Sequence, residues 1–437
     1  MTGGRPGGTG GQRERTDGPP RAASGAPGAA SEPAEAASGS PGAASGAPAP
    51  IGADFPDGAF GAGHPLALYA EIRKRSPVRH PALPLWVAGS HAHVHRVAAD
   101  PEAFRSRDGI LVSDIGHAYD APPTIMHTDP PDHTRYRGLV APAFRPAVTR
   151  ALEGAVRDRV RALLDGLPPT FDAVAELAVP LPLQVICLLL GVPEADWPRF
   201  HRWTEAIVPG VSGLPEDERD ALRVECGTFL LETAHRRRAD PRDDVVSRLA
   251  LAELDGDRLT DLELVMFLIQ LLVAGNETTR HAISGGLLAL ASDPSQWTTL
   301  RDRPGLLPSA VEEILRWTSP VAYFLRTATR DVPLGEAVVR QGEHVMLLFG
   351  AANHDPAAFG EDAGRFDIRR RPAGPNLAFG YGPHFCLGAA LARMEIRVLL
   401  EELGLRHARL TVTGAPAWNG SPVVTGLARL PLTGTDR

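Results

Sequence analysis

Phe379-Gly380-Tyr381-Gly382-Pro383-His384-Phe385-Cys386-Leu387-Gly388 is the stretch on which the reading of the fold turns. It is a glycine-rich loop running into a helix, with Cys386 near the helix start. Unpaired backbone N–H groups and the positive end of the helix dipole favour a thiolate at such a place. Gly380, Gly382 and Gly388 permit tight backbone geometry and the close approach of a flat ligand. Phe379 and Phe385 can shield the sulfur from water. A lone free thiol is ordinarily a buried structural residue. A shielded, amide-stabilised thiolate suits an axial iron ligand instead.

Upstream, residues 261–292 carry the longest helical pattern in the chain. Thr260 and Glu263 form a capping-box pattern at its start, and Pro294 lies just past its end. About 30 residues at 1.5 Å rise span roughly 45 Å. The portion 264–273 is apolar on nearly every face, so the helix should run through the centre of the domain. Ala274-Gly275-Asn276-Glu277-Thr278-Thr279 interrupts it. Gly275 lets another group approach the backbone, and Thr278 can hydrogen-bond back to a carbonyl and open the helix. Glu277 and Thr278 then form an acid–alcohol pair able to relay protons. The plainer reading is a polar helix turn against solvent or another face of the protein. Other helical patterns fall at 65–75, 91–99, 132–144, 147–167, 217–237, 309–317 and 386–403. Strand-like runs are few and short, at 78–80, 85–88, 322–328, 344–348 and 423–432.

The cysteine loop matches the haem-binding signature of the cytochromes P450, FxxGxxxCxG, at every defined position, through Phe379, Gly382, Cys386 and Gly388. Residues 274–279 resemble that family's A/G-G-x-D/E-T-T/S motif, and Glu313 with Arg316 resembles its ExxR motif. The chain is similar to soluble bacterial members over nearly all of residues 54–437. The resemblance implies a mainly α fold with small β-sheets, one large domain with a long central helix over the haem. It implies haem b with Cys386 as the axial thiolate, and monooxygenase activity. It places Phe379, Gly380, Gly388, Ala274 and Gly275 around the haem. Thr278 would orient waters and Glu277 would link them to solvent, while Thr279 is structural. Glu313 and Arg316 would be a scaffold pair, completed by Asn353-His354-Asp355-Pro356, Phe359 and Arg365-Phe366. His133, Arg137, Arg326 and His384 match the positions that hold the haem propionates, where cations bind carboxylates well; each alone could be an ordinary surface cation. Three positions depart from the common pattern. Tyr381 is at a variable site, Asn376 replaces a frequent His, and Met394 follows Arg393 where some relatives carry a second arginine.

The 437 residues carry a formal charge of −7, which gives no electrostatic case for nucleic acid as partner. Three cysteines, Cys187, Cys226 and Cys386, are too widely spaced for a CxxC motif or a disulfide framework, which points to a reducing cytoplasm. The N-terminus lacks an apolar signal core. The longest apolar stretches, 181–192 and 264–275, are too short to span a bilayer. Residues 1–50 are Gly, Ala, Ser and Pro with scattered charges; a disordered tail is expected there, with the catalytic domain over 51–437. No flavin or iron–sulfur domain is fused, so electrons from NAD(P)H should come through a separate ferredoxin and ferredoxin reductase. Arg135 and Arg393 are candidates for the docking face. A monomer is expected. Substrate contacts should come from 109–126, 207–214, 273–278, 321–324 and 423–425, largely apolar, with Tyr323 and Phe324 beside the pocket. A hydrophobic small molecule follows, although core packing would account for many of the same residues. Residues 274–280, with Trp317-Thr318-Ser319-Pro320, resemble actinobacterial members that oxidise sterols, branched lipids and terpenoids. Macrolide or peptide tailoring, peroxide-driven chemistry and a non-catalytic haem protein are the alternatives.

Overall fold

Asp261–Ser292 forms one unbroken helix of 32 residues, the spine of the domain. The Thr260 hydroxyl accepts the Glu263 amide at 3.3 Å, and the Glu263 carboxylate accepts the Thr260 amide at 2.8 Å. These reciprocal bonds satisfy the orphan donors of the first turn, as the capping-box spacing predicts. At the other end Pro294 opens the next helix, Pro294–Asp302, whose first turn is capped by Asp293. The structure is a computed structural model describing residues 51–117, 124–208, 213–254 and 256–436. The tail expected over 1–50, and parts of the expected substrate segments 109–126 and 207–214, lie outside the described residues.

The central helix packs against Pro180–Leu190, Glu216–Ala239 and Leu307–Thr318. By length and composition it could cross a bilayer, contrary to the expectation that no apolar stretch is long enough. It is nevertheless a core helix. Leu264, Leu268, Leu272, Ile283 and Leu290 are buried in the largest hydrophobic cluster, which also takes in most of Pro180–Leu190. Burying each such side chain contributes about 1.5–3 kcal/mol.

The helix expected over 386–403 runs instead from Ala389 to Arg406. The first three of those positions are consumed by the loop, where the Cys386 amide donates to the Phe379 carbonyl at 3.0 Å. The pattern at 147–167 divides at Leu152 into Pro146–Ala151 and Glu153–Asp165.

A five-stranded sheet stands beside the helices, in the spatial order Val78–Arg79, Leu85–Ala88, His344–Leu348, Tyr323–Ala328, Phe104–Arg105. The pairing of Leu85–Ala88 with His344–Leu348 is parallel, with Val87 opposite Met346. The other three are antiparallel. His344–Leu348 is buried along its whole length because the sheet is covered on both faces. A second sheet joins Thr170–Asp172, Pro431–Asp436 and His407–Val412. Its first and last members gave no strand signal, being three residues long in one case and continuous with the preceding helix in the other.

Candidate active site

The cysteine loop is held by its own backbone. The Gly380 amide donates to the Leu377 carbonyl at 2.9 Å, and the Phe385 amide to Gly382 at 3.0 Å. Gly380 and Gly382 have φ of 68° and 71°, a region that costs a side chain roughly 1–2 kcal/mol. Gly382 is under a second constraint, since a Cβ there would lie 2.4 Å from the Ala98 carbonyl oxygen. The loop thus docks directly on the C-terminal end of His91–Ala99. Phe379 and Phe385 meet edge to face at 6.3 Å, and Arg393 covers the Phe379 ring. Cys386 itself stays accessible. Although open on one side, the sulfur is surrounded by enough protein to be poorly hydrated, which pushes its thiol up, against the Gly388 and Ala389 amides and the charges of Arg137 and Arg393, which pull the other way. The amides alone therefore do not produce the thiolate expected from the sequence; a cation bound at the sulfur would.

A buried ion-pair network braces this loop. Glu313 and Arg316 face each other through two bonds of 2.7 and 2.8 Å, both side chains almost wholly buried. Arg316 also donates to the carbonyls of Asn353, Ala363 and Arg365. The third charged member is Arg370, 3.2 Å from Glu313, which the sequence reading missed. Arg365, expected in that place, is exposed and supplies only its carbonyl. Asn353 carries the connection onward, because its side-chain oxygen accepts the Leu377 amide at 2.9 Å where the cysteine loop begins.

Four basic side chains singled out in the sequence converge. The His133 and His384 rings are 4.3 Å apart. The His384 ring is bonded to the Ser106 hydroxyl at 3.2 Å. Burial, then the charges of Arg326, His133, Arg137 and His127, drive the His384 pKa down to about 2. Burial likewise lowers Arg326 to about 10, and among the described residues it has no ion-pair partner. Arg137 donates to the Phe385 carbonyl at 2.9 Å, one residue before the cysteine. The buried Nε2 of His133 has no partner. Such a cluster is unstable without counter-charge. An accessible sulfur beside uncompensated cations fits a haem, whose iron takes the first and whose two carboxylates take the second. His127 and Ser106 belong to this cluster and were not foreseen. For His127 the available signal was its place in the turn preceding the His133 helix.

On the central helix, Ala274 is exposed although its neighbours at 272, 276 and 277 are buried. Thr278, one turn on, donates to the Ala274 carbonyl at 2.8 Å. The back-bond is the one expected, yet the helix remains continuous. Gly275 does not face a ligand; a Cβ there would meet Ile186 at 2.7 Å, so its smallness serves helix packing. Glu277 does not reach solvent. It is 1 % exposed, with one oxygen 3.1 Å from Arg280 and 3.4 Å from His281. Burial alone would raise its carboxyl, but the close approach of the His281 ring and the charge of Arg280 hold it below the usual range.

The two candidate docking arginines are already paired, Arg393 with Glu312 at 2.5 Å and Arg135 with Asp257 and Glu263. Tyr323, expected beside the pocket, is buried in the core, and its hydroxyl accepts the Val112 amide. Phe324 remains half-buried.

Comparison with known proteins agrees with this geometry. The family model described as cytochrome P450 matches residues 170–302 and 296–414. A methyl-branched lipid omega-hydroxylase of Mycobacterium tuberculosis is 38% identical over 403 residues, covering 87% of this chain and 91% of that protein. The vitamin D(3) 25-hydroxylase of Pseudonocardia autotrophica is 38% identical over 382 residues, covering 85% and 94%. The structure of CYP109Q5 from Chondromyces apiculatus superposes with a TM-score of 0.79 at 34% identity, covering 89% and 98%.

Proposed function

The chain belongs to the cytochrome P450 family, and from that premise we propose that it inserts one oxygen atom of O2 into a lipid-like molecule, a methyl-branched lipid, sterol or terpenoid, with electrons from a separate ferredoxin and its reductase. Like its relatives it is a monooxygenase, with a haem held by a cysteine thiolate and external redox partners. Bound there, the haem supplies the oxygen-activating chemistry.

In this reading Cys386 ligates the iron, within the cradle of Phe379, Gly380 and Gly388. His133, Arg137, Arg326 and His384 hold the propionates. Ala274 leaves room over the haem face. Thr278 orients water beside it, and Glu277 is the carboxylate through which protons are exchanged. Glu313 and Arg316 act only through the scaffold. We read the enzyme as a cytoplasmic monomer.

The observation that carries the substrate class is the character of the accessible side chains. Leu271, Ala274, Val321, Phe324, Val423 and Val424 are exposed or half-buried, and all are apolar. In this reading they face the substrate, where apolar surface gains by removing hydrocarbon from water, roughly 25 cal/mol per Å², and offers little to a polar ring. The relatives named for branched-lipid and vitamin D(3) hydroxylation support the same class. Titration of the haem Soret band tests it. Isopalmitic acid or a secosteroid should shift the band at micromolar concentration. A shift with a macrolide and none with either lipid would overturn the class. Product formed with peroxide faster than with ferredoxin and NADPH would overturn the electron route.

A further inference from the structure

His281 is buried one helical turn beyond Glu277 and belongs to none of the motifs above. Its Nε2 lies 3.4 Å from a Glu277 oxygen and 3.1 Å from the side-chain nitrogen of Asn419. Asn419 sits in the segment that turns toward Val423 and Val424. Its amide orientation is fixed twice over. The nitrogen donates to the Val424 carbonyl at 2.7 Å, and the oxygen accepts the Ser421 amide at 3.3 Å. The second hydrogen of that nitrogen therefore points at His281 Nε2, which must accept it. A neutral ring then carries its proton on Nδ1.

That assignment leaves Glu277 unserved by His281, because a lone pair cannot donate to a carboxylate. One nitrogen thus faces two partners with opposite demands. Asn419 needs an acceptor there, and Glu277 needs a donor. The frustration is visible in the remaining atoms. His281 Nδ1 is buried with no hydrogen-bond partner, and neither oxygen of Glu277 has one. The backbone at Gly426 lies against the same ring, where a Cβ would fall 1.9 Å from Nδ1. Both edges of the imidazole are consequently set by the segment 419–426. The other charged groups facing Glu277 are Arg280 on the same helix and His201 on Trp197–Ile207. Arg280 also meets His281 Nε2, at 3.5 Å, but among the described residues neither Arg280 nor His201 bonds to Asn419, so only His281 joins Asn419 to Glu277.

We propose that His281 is a positioning residue for Glu277 and that its tautomer is selected by Asn419, so that the segment 419–424 decides whether Glu277 is clamped or free to exchange its proton. With Asn419 engaged, the ring proton is on Nδ1 and only Arg280 holds Glu277. With Asn419 withdrawn, the same proton sits on Nε2 and is donated to Glu277, clamping it. The ring carries one proton in both states. This rests on the reading of Glu277 as the proton-delivering acid and of residues 423–425 as substrate-side. It adds that the placement of the substrate-side segment and the freedom of the acid are coupled.

The test uses holoenzyme with isotope-labelled histidine, held as the diamagnetic reduced carbonyl complex, whose Soret band also reports correct haem ligation in each variant. Nitrogen NMR should find the Nδ1–H form of His281 in the parent protein and the Nε2–H form in Asn419→Ala. The solvent isotope effect on NADPH oxidation, measured in H2O and D2O with a surrogate ferredoxin and reductase, should rise in Asn419→Ala. It should rise in Glu277→Gln as well. The turnover rate of Asn419→Ala should fall about tenfold, equal to about 1.4 kcal/mol. In a His281→Asn background, where the amide can serve both partners at once, Asn419→Ala should have no effect. An Nε2–H parent, or an unchanged tautomer and isotope effect in Asn419→Ala while Glu277→Gln responds, overturns the coupling and leaves Glu277 as the acid. No response in Glu277→Gln removes the acid role, and the coupling with it.

Discussion

Replacing Glu313 by Gln keeps the shape of the side chain and removes its charge. Two buried guanidiniums, those of Arg316 and Arg370, then lose their shared carboxylate. The Arg316 and Arg370 side chains are 2% and 6% exposed, so water cannot replace it. Breaking a buried ion pair on one side costs about 3–5 kcal/mol. Over roughly 390 folded residues, an unfolding entropy of about 2.1 cal/mol/K per residue gives about 0.8 kcal/mol/K. The expected fall in Tm for Glu313→Gln is therefore about 4–6 °C. Scanning calorimetry of the haem-loaded protein measures it. Glu71→Gln, which breaks an exposed pair with Lys74, is the control and should leave Tm unchanged. A fall below about 1 °C for Glu313→Gln, the equivalent of under 1 kcal/mol, would refute the view that the network stores its strength in buried charge. The network reaches Leu377 through Asn353. The same substitution should accordingly lower the fraction of protein showing the thiolate-type carbonyl spectrum.

Gly382→Ala must adopt φ of 71° and place its methyl 2.4 Å from the Ala98 carbonyl; the loop should shift and the carbonyl Soret band should change to the form lacking thiolate, whereas an unchanged spectrum would contradict the docking argument. Thr278→Ala loses the hydroxyl bonded to the Ala274 carbonyl, and the product formed per NADPH should fall several-fold as peroxide rises, with unchanged coupling refuting its role in orienting water. His354 is buried, and burial followed by the charges of His64 and Arg316 holds its pKa well below the ordinary value. Its folded form stays neutral while the unfolded chain takes up a proton below about pH 6.5. Stability is therefore lost as pH falls below that value, and His354→Gln should show a smaller drop in Tm between about pH 7 and pH 5 than the parent; an equal drop would count against His354 as a source of acid lability.

Much of this protein was legible in its sequence because the decisive signals are local. The cap at Thr260, the length of the central helix, the glycines of the cysteine loop and the Glu313–Arg316 spacing depend on neighbours within a few residues. Backbone sterics and helix periodicity act over that range, so the sequence alone determines them. It also determined that a thiol stands at the start of a helix in a glycine-rich loop, and the family resemblance gave that thiol its iron. Only the tertiary structure decided what each side chain meets. Gly275 looked like room for a ligand and turned out to be room for Ile186. Glu277 adjoins Thr278 in sequence, but about 100° of helix rotation separates them, and the packing behind the helix gave Glu277 to Arg280 and His281 instead of solvent. Arg370, not Arg365, completes the buried network. Ser106, His127 and Asn419 joined the site from segments far away in the chain. Such contacts depend on which faces are brought together across long separations, and no local pattern encodes that.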